Sequence, residues 1–165
     1  MKSDFEIKFK ETLDFLEDSK MESPNKPVLP HVMRVGRYLY EKGFDDDVVK
    51  AGLLHDSLEW SSVSEEEIKE KFGERILEII KANSKKREIE GTMNRAVDMM
   101  ERCKQFGDEA LAVKIADVYD SCLYYVKLDN EKELAGYKIF VKLLIKNLSE
   151  NLKNKFLNDL EKIII

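Results

Sequence analysis

The sequence predicts an all-α protein, an irregular helical bundle packed around one core. Apolar residues recur at helical spacing along most of the chain, and no stretch of four to eight residues alternates in the manner of a strand. Of the 165 residues, 43 % are hydrophobic and 37 % are charged, so a single packed core under a charged surface is feasible. We therefore expect one domain over residues 1–165, with its core at about 13–145 and a C-terminal helical extension.

The first part of the chain predicts three helices and one long loop. Apolar residues at helical spacing precede Ser19, and three prolines then mark a loop from Ser19 to Pro30, because proline lacks the N–H donor and restricts its predecessor. The next helix ends near Gly43. A third begins at Asp45–Asp47, whose carboxylates can cap it, and continues through Leu58.

The second part of the chain is predicted to be mostly helical. Ser64 and Glu67 form a Ser-x-x-Glu capping box, and Gly73 interrupts the helix that follows, so two short helices are also compatible with the pattern. Residues 82–91 are polar and predict a loop. The remaining helices are predicted over 92–106, 107–125 and 131–163, the last with a break near 147–151, which makes about seven in all.

Composition excludes several classes of function. The 28 basic and 33 acidic residues give a net charge of −5 and are interspersed, which argues against a general nucleic-acid binder. No stretch approaches a membrane span, and residues 1–12 lack the apolar run of a secretory signal. Cys103 and Cys122 form no paired motif and are expected to be core thiols, so we expect a reduced, cytoplasmic setting without a membrane partner.

The pair His55-Asp56 is the first candidate for chemistry. It directly follows Leu53 and Leu54 on an apolar helix face, where an aspartate would be costly to bury alone. A metal ion would remove that cost, since imidazole nitrogen and carboxylate oxygen suit manganese, iron, cobalt or zinc. On a continuous helix the two side chains would differ by about 100°. Glu59 would share their face and could take a proton from the attacking water.

Two further polar residues interrupt apolar helix faces. Asp117 follows Ile115 and Ala116, and Lys114 lies one turn before it. His31 begins the helix after the proline loop. Each of these residues has a plainer interpretation: a lone helical histidine is usually a satisfied core residue, Asp117 could simply pair with Lys114, and Glu59 could be a solvated charge. Their order and their apolar context favour a shared metal site.

Other cations could receive phosphate groups. Lys85 and Lys86 lie in the polar loop, where a charge run is by default solvated. Arg34 lies one turn after His31 and could equally pair with an acid on a neighbouring helix. The sequence alone leaves these alternatives open.

The order His, His-Asp, Asp resembles the H…HD…D pattern of the HD superfamily of metal-dependent phosphohydrolases. From about Leu13 to Tyr125 the chain is most similar to its alarmone hydrolases. The segment AGLLHDSLE at 51–59 is similar to their ALLHD-x-x-E-D, and ALAVKIAD at 110–117 is similar to their LVKLAD. The stretch EIKEKFGERILEII at 67–80 is similar to the part that follows the first motif. HD domains are all-helical, in agreement with the periodicity.

The resemblance implies a ligand set and a reaction. By this resemblance, the expected metal ligands are His31, His55, Asp56 and Asp117. Glu59 is expected to act on the hydrolytic water, so the expected catalytic residues are Glu59 and Asp56. The implied reaction removes a 3′-linked diphosphate from a guanosine nucleotide, normally with Mn²⁺; Fe²⁺, Co²⁺, Zn²⁺ or Mg²⁺ are alternatives. Because the chain has only two histidines, we expect a single metal ion.

Two departures from the alarmone hydrolases bear on the substrate. Trp60 replaces the second acid of their Glu-Asp pair, and Ser121 replaces their usual asparagine. The alternatives are therefore a nucleoside monophosphate phosphatase or a weakly catalytic nucleotide sensor that retains the metal. The expected partner is a small phosphorylated nucleotide, and a homodimer is one assembly that the sequence leaves open. The residues expected to contact substrate are Lys114, Trp60, Lys85, Lys86, Ser121 and Tyr137.

Overall fold

The computed structural model describes residues 1–165 and contains helices and connecting loops without a strand. The all-α prediction is therefore confirmed. The helices are α1 (Asp4–Lys8), α2 (Lys10–Ser19), α3 (Val28–Glu41), α4 (Asp46–Leu54), α5 (Ser57–Trp60), α6 (Glu65–Phe72), α7 (Glu74–Ala82), α8 (Thr92–Phe106), α9 (Asp108–Lys127), α10 (Glu131–Lys146) and α11 (Glu150–Ile164).

The structure has eleven helices where about seven were expected, because four predicted helices are each divided in two. Two of the divisions were anticipated. Gly73 has a φ of 94° and separates α6 from α7, and α10 ends at Asn147 before Ser149 caps α11. The other two were not. Phe9 leaves helical geometry between α1 and α2, and α4 ends at Leu54 instead of continuing through Leu58.

The start of α3 corrects the predicted end of the proline loop. The loop was expected to reach Pro30, but α3 already begins at Val28, so Pro30 lies in its first turn. Backbone N–H groups of the first turn have no partner inside a helix, and a proline there loses no hydrogen bond. The consequence is that His31, which was predicted to begin the helix, is its fourth residue.

The core is organised around α9. This helix packs against α3, α4, α7, α8, α10 and α11, and nearly all side chains from Ala110 to Cys122 are buried. The buried face of α3, including Val32 and Val35, and the apolar residues of α4 complete the contact. Functional side chains on α3, α4 and α9 are therefore held by the best-packed part of the molecule.

Two further predictions from the sequence concern the cysteines and membrane-spanning helices. Cys103 and Cys122 are free and buried, as expected of core thiols. No helix combines the length and the apolar character needed to cross a membrane.

The crossing of α3 over α4 requires a residue without a side chain at Gly36. A Cβ there would lie 2.5 Å from both Cγ and Cδ2 of Leu53, and Cγ cannot move away without repacking the core. We expect Gly36→Ala to lower the free energy of unfolding by about 1–3 kcal/mol. Urea denaturation followed by circular dichroism measures this.

The control is Gly136→Ala in α10, where an added Cβ would meet nothing within 4 Å. That variant should be stabilised, since alanine is the better helix former by up to about 1 kcal/mol. Equal effects of the two substitutions would contradict the packing described for α3 and α4.

Candidate metal centre

Four polar side chains from three helical segments converge at one point of the core. His31 comes from the first turn of α3, His55 and Asp56 from the junction of α4 and α5, and Asp117 from the middle of α9. His31 Nε2 lies 3.1 Å from Asp117 Oδ1 and 3.8 Å from Asp56 Oδ2. His55 Nε2 lies 3.6 Å from the same oxygen of Asp117 and 3.5 Å from Asp56 Oδ1.

The end of α4 determines how His55 is oriented. The predicted continuous helix would have placed His55 and Asp56 about 100° apart, but α4 stops at Leu54. His55 Nδ1 lies 2.7 Å from the carbonyl oxygen of Gly52 and donates its proton to it, while Ser57 Oγ donates to the carbonyl of Leu54. Both bonds occupy carbonyl groups that would accept backbone hydrogen bonds if α4 continued. They leave His55 Nε2 as the atom that faces the cluster.

His55 Nε2 is a buried polar atom without a hydrogen-bond partner. Its distances to the carboxylates of Asp56 and Asp117 exceed 3.2 Å, the usual limit for a hydrogen bond to nitrogen. Burial lowers the pKa of His55, but the negative charges of Asp56 and Asp117 outweigh it and raise this pKa to about 9. The surroundings of Nε2 therefore favour a positive charge at this point.

Asp117 is an ionised and largely buried carboxylate, whose side chain retains 20 % of its exposure. Burial by itself would raise its pKa, but Lys114 and the two imidazoles hold the pKa well below the usual range. Lys114 Nζ donates to Asp117 Oδ2 at 2.9 Å, so the predicted pairing one turn apart on α9 is observed. Burial also lowers the pKa of Lys114, yet the charge of Asp117 raises it overall. Asp117 Oδ1 remains directed at the imidazoles.

Asp120 is a site residue that the sequence analysis missed. Its Oδ2 accepts a hydrogen bond from His31 Nδ1 at 2.7 Å, and Arg34 donates to both of its oxygens, at 2.7 and 3.0 Å. Arg34 therefore pairs with an acid on a neighbouring helix, which is one of the two roles that the sequence left open for it. Asp120 follows Asp117 by three residues and so shares its helix face, a signal that could have identified it.

Glu59 is held by the loop that follows α7. The backbone N–H of Lys85 donates to Glu59 Oε1 at 2.6 Å. Arg102 of α8 fixes this loop by donating to the carbonyls of Lys81 at 2.6 Å, Ala82 at 3.2 Å and Ser84 at 2.7 Å. The Lys85 N–H thus orients Glu59, and Arg102 in turn holds the loop that carries Lys85.

A cavity of about 710 Å³ opens next to the cluster. Four residues expected to contact substrate line it, and two do not: Lys86 lies outside the lining, and Ser121 is buried and accepts a hydrogen bond from Lys26 Nζ at 2.5 Å. Their roles stay predictions. The charged and aromatic residues of its wall include Lys26, Asp56, Glu59, Trp60, Lys85, Lys114, Asp117 and Tyr137.

The donor set fits a divalent metal ion. Ligand atoms of His31, His55 and Asp117 lie within 4.8 Å of one another, and Asp56 adds a second carboxylate beside both imidazoles. Two imidazole nitrogens, which are neutral when they bind a metal, together with two carboxylates suit a transition metal of borderline softness. The unpartnered His55 Nε2 is the observation of this structure that a cation would explain, because a buried polar atom without a partner is otherwise costly.

The chain belongs to the HD domain family, whose sequence profile matches residues 12–134. The predicted membership of this superfamily is therefore confirmed, and it supports the predicted enzyme class, a metal-dependent phosphohydrolase.

Two curated proteins are similar to part of the chain, and both are named guanosine-3′,5′-bis(diphosphate) 3′-pyrophosphohydrolase. The protein of Aquifex aeolicus is 40 % identical over 60 residues, which is 36 % of this chain and 9 % of that protein. The protein of Haemophilus influenzae is 32 % identical over 68 residues, 41 % of this chain and 10 % of that protein. The chain thus matches about a tenth of the length of these relatives. Their name agrees with the branch of the superfamily that the motifs resemble.

Solved structures show the same fold over nearly the whole chain. A structure described as a metazoan ortholog of SpoT that hydrolyzes ppGpp matches with a TM-score of 0.76 at 21 % identity, covering 99 % of this chain and 95 % of that one. A protein from Listeria monocytogenes matches with a TM-score of 0.67 at 20 % identity, covering 86 % and 99 %. The arrangement of helices is therefore that of known HD domains.

Arg102 should control the loop that holds Glu59. Replacing it by alanine removes three hydrogen bonds to loop and helix-end carbonyls, so we expect the amide proton of Lys85 to exchange with solvent at least about tenfold faster, the equivalent of about 1.4 kcal/mol of local stability. Amide hydrogen exchange measured by NMR tests this.

Lys104→Ala, on the same helix but bonded to Asn147 instead, should leave that amide unchanged. If Lys85 exchanges equally fast in both variants and in the parent protein, Arg102 does not hold the loop.

Proposed function

We propose that this protein is a metal-dependent phosphohydrolase that acts on a nucleotide and holds one divalent ion with His31, His55, Asp56 and Asp117. The observation that carries the proposal is the unpartnered, buried Nε2 of His55 facing two carboxylates beside a cavity. Mn²⁺ is the proposed metal. The number of histidines supports a single ion, since no third imidazole is present in the sequence.

Guanosine 3′,5′-bis(diphosphate) is the proposed substrate, with cleavage at the 3′-diphosphate. The support is the similarity of part of the chain to pyrophosphohydrolases of that compound. The cavity of about 710 Å³ lies within the range of about 300–1,000 Å³ for small-molecule sites. Lys26, Lys85 and Lys114 on its wall provide positive charge for phosphate oxygens. A cytoplasmic setting and a homodimer stay predictions.

The chemistry can be assigned to residues of this chain. A divalent ion, when bound by the four ligands, would polarise a phosphate group and lower the pKa of a water molecule. Glu59 lines the cavity with Asp56, and the Lys85 N–H occupies only Oε1, so Oε2 is free to take a proton from the attacking water. Lys114 keeps Asp117 ionised. Tyr137 and Trp60, also on the cavity wall, offer faces on which a base could stack.

A second candidate, a nucleoside monophosphate phosphatase, is favoured by one observation. Trp60 lines the cavity beside Glu59 at the position where alarmone hydrolases have a second acid, and its backbone carbonyl accepts a hydrogen bond from the N–H of Glu22 at 3.0 Å. A large ring therefore occupies the cavity wall together with Glu59, the proposed proton acceptor, where an acid would otherwise stand. A third candidate, a metal-retaining sensor of nucleotides, would share the metal site but lack turnover.

Metal binding should stabilise the fold. With free Mn²⁺ at a hundred times its Kd, the gain is about 2.7 kcal/mol, which we expect to see as a rise in the thermal midpoint of the metal-free protein. His55→Ala should abolish the rise, because it removes one ligand and the buried nitrogen. Differential scanning calorimetry with and without Mn²⁺ measures both.

Lys104→Ala serves as control and should respond to Mn²⁺ as the parent protein does. A rise of equal size in His55→Ala would place the binding site elsewhere and contradict the proposal.

Product analysis distinguishes the candidate functions. With Mn²⁺ added, we expect pyrophosphate from guanosine 3′,5′-bis(diphosphate), and we expect Glu59→Gln to lower kcat by about 10²–10⁴, the range for loss of a general base. Glu70→Gln on the exposed face of α6 should leave kcat unchanged. Orthophosphate from nucleoside monophosphates would favour the phosphatase, and nucleotide binding without turnover by either form would favour the sensor.

A further inference from the structure

The ring orientation of His31 depends on a carboxylate that is not among the proposed ligands. His31 is completely buried, and its two ring nitrogens face different acids. Nε2 faces the cluster at 3.1 Å from Asp117 Oδ1, while Nδ1 is bonded to Asp120 Oδ2 at 2.7 Å on the opposite side of the ring. Rotation of the ring about its bond to Cβ would exchange or break both contacts.

The contact between Nδ1 and Asp120 determines that Nδ1 carries a proton. A carboxylate paired with an arginine can only accept hydrogen bonds, and Arg34 donates to both oxygens of Asp120. At 2.7 Å from Asp120 Oδ2, Nδ1 is therefore the donor. Nε2, which faces Asp117, is then the nitrogen whose lone pair a metal ion can use.

Arg34 holds Asp120 through both of its carboxylate oxygens. Its Nε and Nη2 donate to the two carboxylate oxygens at 2.7 and 3.0 Å, a bidentate contact that fixes the plane of the carboxylate as well as its position. The Arg34 side chain is half exposed, whereas that of Asp120 retains only 10 % of its exposure. Arg34 does not line the cavity, so its contact with Asp120 does not compete with a role in the cavity.

The same three-residue spacing separates the interacting residues on both α3 and α9. On α3, Arg34 follows His31 by three residues, and on α9, Asp120 follows Asp117 by three. Residues at this spacing share a helix face, so packing α3 against α9 brings both pairs together. The second histidine is oriented differently, because His55 Nδ1 donates to the main-chain carbonyl of Gly52.

We propose that Asp120, held by Arg34, is a positioning residue that fixes the ring of His31 and holds the proton on its Nδ1, so that Nε2 is presented to the metal. Partners of this kind typically raise metal affinity about 10–100-fold. The proposal rests on the proposed metal site for its effect on affinity, but the orientation of His31 can be tested without metal.

The first measurement is the ¹⁵N NMR spectrum of the histidine rings in the metal-free protein. We expect Nδ1 of His31 to be protonated and its proton to exchange slowly with solvent. In Asp120→Asn an amide replaces the carboxylate and can donate as well as accept, so the Nδ1 proton should exchange faster and rings with an unprotonated Nδ1 should appear. A His31 without a proton on Nδ1 in the parent protein, or an Nδ1 proton that exchanges equally slowly in Asp120→Asn, would overturn the proposal.

The second measurement is the affinity for Mn²⁺ by isothermal titration calorimetry. Asp120→Asn should bind Mn²⁺ about 10–100-fold more weakly than the parent protein, and equal affinity would overturn the proposal. If the parent protein binds no Mn²⁺, the proposed metal site is wrong. The ring spectra still decide whether Asp120 orients His31. If Asp120→Asn does not fold, the parent spectrum decides alone.

Asp159→Asn is the matched control. Asp159 also pairs with a residue of α3 and with a cation, since it accepts a hydrogen bond from Tyr38 at 2.7 Å and lies 2.7 Å from Lys42 Nζ. It lies away from the cluster and should lose thermal stability without any change in the His31 ring spectrum or in Mn²⁺ affinity. A similar loss of affinity in both variants would show a general effect of lost stability and would overturn the proposal.

Discussion

The ionised and largely buried carboxylate of Asp117 is the constraint on which this structure depends. A carboxylate in the interior of a helical bundle is costly unless it is compensated by charge or by hydrogen bonds. Here the compensation comes from one turn earlier on the same helix, where Lys114 is bonded to it, and from two imidazoles on other elements. The conflict between apolar surroundings and ionised groups is therefore concentrated at one point of the core.

Packing brings these groups together without irregular backbone in the long helices. Gly36 allows close contact of α3 with the Leu53 side chain of α4, and α9 packs against both helices. The one departure from regular structure is the end of α4, where His55 turns its Nδ1 to the carbonyl of Gly52. Each imidazole thus has one nitrogen bonded to a fixed acceptor and the other facing the cluster, which is a common arrangement for histidines that bind metals.

The sequence predicted the helical class, the capping residues and the residues that converge, because these follow from periodicity and from polar residues in apolar segments. Asp45 and Ser64 cap α4 and α6 as expected. It did not predict the end of α4 at Leu54, since no glycine or proline marks that position and the competing side-chain bonds of His55 and Ser57 depend on their surroundings. Asp120 was missed for a similar reason: its role depends on Arg34 and His31, which only tertiary packing brings to it.

The central claim is that four side chains, distant in sequence, bind a single divalent ion. Anomalous scattering from a crystal of the protein grown with Mn²⁺, recorded at the manganese edge, tests this most directly. We expect one strong peak in contact with the imidazole nitrogens of His31 and His55 and with the carboxylates of Asp56 and Asp117. A peak bound elsewhere with this cluster empty, or no peak at a Mn²⁺ concentration that saturates binding in solution, would contradict it.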